Sequence, residues 1–93
     1  MARYWGKIIR KQKILQDTVT EAPPIMTGED FEQMIQKLCE PLDLPRPVIL
    51  SKHLRDMTTF RRVRFLPGDF MEEVPFDSFE AEELIEKKKD MRF

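Results

Sequence analysis

Only a few side chains in this sequence could carry chemistry. Cys39 is the single cysteine and His53 the single histidine, and together they make the conventional nucleophile–base pair of a small hydrolytic enzyme. A reactive thiolate also needs access, stabilisation and donors aimed at developing charge. Cys39 follows Leu38 on an apolar helical stripe and is separated from His53 by a proline-rich linker, so it reads as a reduced, buried thiol. Ser51, His53 and Asp56 supply the residue types of a triad, but neighbouring helical positions do not line up for attack and relay. A local bond from His53 to Asp56, three residues on, is the simpler expectation. With no HExxH and no paired cysteine–histidine spacing, neither a metal site nor a cofactor is expected. Asp69, Glu72, Glu73 and Asp77 are a run of carboxylates without the calcium-loop pattern.

The best binding signal is Arg61-Arg62-x-Arg64-Phe65. Arginine forks pair bidentately with phosphate, and a flanking phenylalanine can stack on an unpaired base. Strand alternation turns Phe65 inward with Val63, away from Arg62 and Arg64, which leaves the phosphate half of the signal. Arg46 and Arg55 could extend such a patch. The alternative is pairing of these arginines with Glu72, Glu73 or the acidic tail. Charge is segregated along the chain: residues 1–16 are basic, 17–45 acidic, 46–66 basic and 67–93 mostly acidic, for a net charge of −1. Segments of opposite sign lying side by side, or facing a partner subunit, account for this layout.

The elements that must position these residues indicate a single α+β domain over 1–93: a small mixed or antiparallel sheet with an N-terminal hairpin, packed by one principal amphipathic helix and a shorter second helix. In RYWGKIIR, Tyr4, Gly6 and Ile8 alternate with Trp5, Lys7 and Ile9. In KILQDTVTE, Leu15 and Val19 alternate with Ile14, Gln16 and Thr18. The Lys11-Gln12-Lys13 connection lacks an Asn-Gly or Asp-Gly signature, which predicts a longer loop or a type I turn. After Ala22-Pro23-Pro24, Thr27 and Asp30 form a capping box, and Phe31, Met34, Ile35, Leu38 and Leu42 recur at helical spacing, predicting a helix over about 28–40 that ends near Pro41. Leu44-Pro45-Arg46-Pro47 is a stiff linker. Ser51 then caps one or two turns carrying Leu54, Met57 and Phe60. RRVRFLP reads as a strand and Pro67-Gly68-Asp69 as a turn, with Phe70, Met71, Val74 and Phe76 assigned to the core. The stretch 78–86 admits two readings, a helix capped by Ser78 or a strand with Phe79, Ala81 and Ile85 inward. In the second, Glu83 falls on the apolar side and needs an edge or a basic partner. Residues 87–93 are expected to fray.

The stretch SKHLRDMTTFRRVRFLPGDFMEEVPFD, together with the KIIR…DTVTE pattern, resembles a group of short, uncharacterised bacterial proteins. The resemblance implies a bacterial cytosolic protein and favours a strand at 79–85, and it implies no activity, cofactor or catalytic residue.

The longest apolar run, Val48-Ile49-Leu50, is too short to span a bilayer, so no membrane partner is expected and the cytoplasm is the default compartment. The leading expectation is a non-enzymatic protein–protein interaction or structural module acting as a homodimer, with Trp5, Ile9 and Ile14 as the partner-facing patch. Nucleic-acid phosphate-backbone binding through Arg61, Arg62 and Arg64, widened by Arg46 or Arg55, is the alternative. A hydrolase using Cys39 and His53 is the second alternative.

Overall fold

The structure, a computed structural model, describes residues 2–84. In chain order it comprises β1 (Ala2–Arg10), β2 (Lys13–Ala22), α1 (Gly28–Leu42), α2 (Ser51–Phe60), β3 (Arg62–Phe65), a 3₁₀ turn at Pro67–Asp69, and β4 (Ser78–Leu84). The four strands form one sheet in the order β2-β1-β4-β3, every pair antiparallel. This is the expected α+β fold with its N-terminal hairpin, a longer helix and a shorter one.

The hairpin is tighter than its sequence predicts. Arg10 pairs with Lys13, and the two residues between them, Lys11 and Gln12, both take positive φ (53° and 66°), the pattern of a type I′ turn. Neither residue favours that region. The Lys11 amide donates to Asp77 Oδ2 at 2.7 Å, a tertiary bond that no local signal announces. The second departure is a β-bulge: Ile9 pairs with Ile14 and Ile8 with Gln16, leaving Leu15 as the extra residue. The bulge breaks simple alternation and moves Ile14 from the face of Gln16 and Thr18 to that of Ile9.

α1 begins as expected. The Asp30 amide donates to Thr27 Oγ1 at 3.2 Å, and Asp30 Oδ2 accepts from the amides of Thr27 and Met26. It does not stop at Pro41, which lies inside its last turn. Only one ladder bond is lost to a proline there, and Asp43, at φ 56°, closes the helix with its amide on the Cys39 and Glu40 carbonyls. The apolar stripe Phe31, Met34, Ile35 and Leu38 is fully buried against the sheet face formed by Tyr4, Gly6 and Ile8 of β1. Packing is close at Gly6, where an added Cβ would lie 3.2 Å from both Leu38 methyls. Glycine there sets how near α1 can approach.

α2 is a continuous α-helix whose N-cap is Leu50, not Ser51. Its buried side chains are His53 and Met57, while Phe60 is 62% exposed. Phe60 ends the helix one residue before Arg61 reverses the chain at φ 61°, so a three-residue spacing does not carry it into the core. Phe65 sits centrally, its ring 6.4 Å from Phe31, 5.9 Å from Phe79 and 4.4 Å from His53 between centroids. Phe70 and Phe76 meet edge to face at 5.5 Å. Met71, expected in the core, is 88% exposed, because the irregular segment after the 3₁₀ turn has no strand or helix period to direct it inward.

Residues Ser78–Leu84 form a strand. Phe79 and Ala81 are buried, and Glu83, on the same side, reaches Arg61 Nη1 at 3.0 Å. A sequence with helix-forming Glu and Ala residues becomes a strand because it fills the centre of the sheet, bonded to β1 on one side and β3 on the other. Ile85, Glu86 and the end expected to fray, 87–93, lie outside the described residues.

Candidate interaction surface on the open sheet face

Both helices pack on the face that carries Gly6 and Phe65. The opposite face is open among the described residues. Antiparallel partners share a face, and of the rows that the registers place there two run across all four strands: Asp17–Lys7–Glu80–Arg64 and Val19–Trp5–Glu82–Arg62. The first row alternates in sign across all four strands. Lys7 Nζ lies 3.1 Å from Glu82 Oε1 and 3.9 Å from Glu80 Oε1, and sits 4.1 Å above the Trp5 ring centroid. The Trp5 indole N–H donates to Asp17 Oδ2 at 2.8 Å. Arg64 Nε meets Glu80 Oε2 at 3.0 Å. The network binds the edges of the sheet to its centre through side chains as well as through the backbone ladder.

Apolar side chains occupy the β1–β2 corner of this face in two pairs, Val19–Trp5 within the second row and Ile14–Ile9 beyond the first. Trp5 and Ile9 are half-buried, and Ile14 (49%), Leu15 (54%) and Val19 (47%) are exposed. Ile9 and Ile14 are direct partners, so the three residues singled out from sequence, Trp5, Ile9 and Ile14, share this face. Val19 and Asp17 belong with them. Their place was not visible in the sequence because it depends on the bulge at Leu15. On the β3 side, Leu66 continues from the strand in extended backbone (φ −93°, ψ 165°) and is 51% exposed.

The arginines divide. Arg61 and Arg64 hold Glu83 and Glu80, which belong to the acidic tail and not to the Glu72–Glu73 pair. Arg62 is exposed and has no ion-pair partner among the described residues. Arg46 donates to Gln36 Oε1 at 3.4 Å on the helix side of the molecule, and Arg55 is exposed on α2. A groove of about 340 Å³ beside β3 is walled by Lys7, Arg62 and Arg64 and equally by Asp56, Glu80 and Glu82. Three cations offset by three anions give a surface without net positive charge.

Cys39 and His53 do not form a reactive pair. Cys39 is 2% exposed, its Sγ is 3.9 Å from the Pro45 carbonyl, and burial pushes its thiol up to about 11, against the lowering effect of Arg46. A thiol so protonated is a poor nucleophile near neutrality. His53 is also buried. Its Nδ1 accepts the Leu50 amide proton at 2.9 Å, which assigns the ring proton of the neutral form to Nε2. Nε2 faces Asp69 Oδ2 at 3.5 Å without making a hydrogen bond. The histidine's acidic neighbour is thus Asp69, brought in by the 3₁₀ turn, and not Asp56 as its sequence spacing predicts. His53 acts as the cap of α2 and as a ring packed on Phe65. Among the described residues no three His, Cys, Asp or Glu side chains converge as a metal site, and no helix is long and apolar enough to cross a membrane. No protein-family model, curated protein or solved structure matches the chain.

Proposed function

We propose that the protein is a non-enzymatic protein–protein interaction module that works as a homodimer through the open face of its sheet. The observation that carries this reading is the apolar corner. Trp5, Ile9, Ile14 and Val19 share one face, on the side of the sheet opposite both helices. A sheet face packed on one side only is ordinarily polar on the other, and apolar side chains gathered on such a face, here two pairs flanking Lys7 and Asp17, suit a contact surface. The burial of Cys39 and the structural engagement of His53 support the same reading over a hydrolytic one.

Arg62 favours a second reading, phosphate-backbone binding, since it is exposed and free of an acidic partner among the described residues. Arg61 and Arg64 would have to leave Glu83 and Glu80 to join it. Light scattering over a protein-concentration series, with and without mixed-sequence nucleic acid at low salt, separates the two. A mass near twice 11.1 kDa without nucleic acid, reduced to the monomer by Ile14→Lys, is the expected result. A monomer at every concentration that gains mass only with nucleic acid, and loses it as salt rises, would replace the first reading with the second.

A further inference from the structure

Resting on that homodimer reading, we infer that two copies pack face to face about a two-fold axis parallel to the strands, so that β2 of each lies over β3 of the other. The row Asp17–Lys7–Glu80–Arg64 carries alternating charge. Read from β2 to β3 it is minus, plus, minus, plus. Read from β3 to β2 it is the opposite at every position. An axis parallel to the strands reverses the order of strands and nothing else, so it sets Asp17 over the second copy's arginine at position 64 and Lys7 over its glutamate at 80. The row is its own complement.

In the second row the same operation sets Val19 and Trp5 over the stems of the second copy's arginine at 62 and glutamate at 82, and at the far end of the face it brings apolar groups together. Ile14 and Ile9 lie on β2 and β1 at one end of the face, and Leu66, the half-exposed residue two positions beyond Arg64, lies at the β3 margin of that end. The reversal carries Ile14 toward the second copy's leucine at 66. The competing two-fold axis, lying across the strands, sets each strand over its own copy. Acidic β4 residues then meet acidic ones, and Arg62 and Arg64 meet arginines. Like-charge juxtaposition across an interface is strongly unfavourable. Aligned face-to-face packing, with strand directions within about 30°, is one of the two ways in which sheets stack.

The experiment uses Val19→Cys and Arg62→Cys, the two ends of the second row, which leave the charged row intact. Within one chain these positions are three strand spacings apart, roughly 14 Å. In the proposed dimer each faces the other across a sheet-to-sheet gap of about 10 Å. Each variant alone, and an equimolar mixture, are treated with a bis-maleimide whose spacer is about 10 Å. The parent chain with its buried Cys39 is the blank. The mixture is expected to give several-fold more covalent dimer than either variant alone. Asp17→Arg is expected to raise the dissociation constant by roughly tenfold or more, and Asp17→Asn, which keeps an acceptor for the Trp5 indole, by less. Covalent dimer in a single variant at the level of the mixture, or a scattering dimer whose mixture fails to cross-link, overturns this geometry and leaves the homodimer standing. A mass of 11.1 kDa at every concentration removes the homodimer itself.

Discussion

Replacing Gly6 by alanine tests how closely α1 is held against the sheet. The new Cβ would lie 3.2 Å from both Leu38 Cδ atoms and 3.3 Å from Leu38 Cβ. The methyls could turn aside, but Leu38 Cβ is fixed to the helix backbone, so α1 itself must move. Overpacking of this kind costs about 1–3 kcal/mol. Against it, alanine narrows the unfolded ensemble, a gain of about 0.4–1 kcal/mol where the backbone conformation is compatible. Gly6 has an ordinary strand conformation, since no glycine here takes positive φ, so that gain applies in full. The net is a loss of about 1–2 kcal/mol, or a fall of roughly 4–15 °C in Tm for a domain of this size. Urea unfolding followed by Trp5 fluorescence and by far-ultraviolet circular dichroism measures it. The decisive comparison is the same substitution in a Leu38→Ala background, itself about 2–5 kcal/mol less stable, where the two Cδ contacts are gone and only the Cβ contact at 3.3 Å remains. There Gly6→Ala should cost less, giving a coupling of about 1 kcal/mol. Equal losses in the two backgrounds, or a Gly6→Ala protein as stable as its parent, would refute the close approach as the reason for glycine.

Three further outcomes follow from single contacts. Gln12→Gly relieves a positive φ that glutamine adopts reluctantly and should raise stability by about 0.5–1 kcal/mol, read as a higher urea midpoint with unchanged slope. His53→Ala leaves the Leu50 amide without its acceptor and opens space beside Phe65, a loss of about 2–4 kcal/mol. His53→Gln, which can restore an acceptor at the third helical position, should recover part of it, whereas equal losses for the two would exclude the capping role. In alkali, unfolding releases the Cys39 proton, because the thiol ionises near its ordinary 9.0 in the unfolded chain and near 11 in the fold. Stability is therefore retained below pH 9 and declines by about 2–3 kcal/mol as pH rises to 11, and burial of Tyr4, whose hydroxyl is also raised, steepens the fall. Urea midpoints across that window should drop less steeply in Cys39→Ala.

Elements with their own periodicity were legible without a structure. α1 was, because its stripe, its Thr27–Asp30 capping box and the Pro23-Pro24 stop before it all agree. So was the alternation of β1. Features decided by distant partners were not. The turn at Lys11-Gln12 is tight because Asp77, sixty-six residues away, accepts the Lys11 amide. The stretch Ser78–Leu84 has helix-forming composition and becomes a strand because β1 and β3 offer it ladders on both sides. Ile14 changes face because one residue bulges. In the candidate surface, Trp5, Ile9 and Ile14 could be named singly, but the alternating row cannot be read along the chain. Asp17, Lys7, Glu80 and Arg64 acquire their order only once the strands stand as β2-β1-β4-β3.

The same strand order bears on which ligand the arginines can serve. β4, the acidic strand, lies between basic β1 and basic β3, so the charge segregation seen along the chain becomes neutralisation across the sheet. An arginine that already shares a carboxylate, as Arg64 does with Glu80 and Arg61 with Glu83, binds phosphate only after giving up that partner, and the freed carboxylate then repels the incoming anion. Isolated Arg62 gains little from such neighbours. A second copy of the sheet, stacked as proposed, would impose no such exchange: the pairs within each copy would persist, and each charge of the row Asp17–Lys7–Glu80–Arg64 would gain an opposite one from above. The alternation that would weaken phosphate binding at Arg64 is thus the one that makes the row Asp17–Lys7–Glu80–Arg64 its own complement in the proposed dimer.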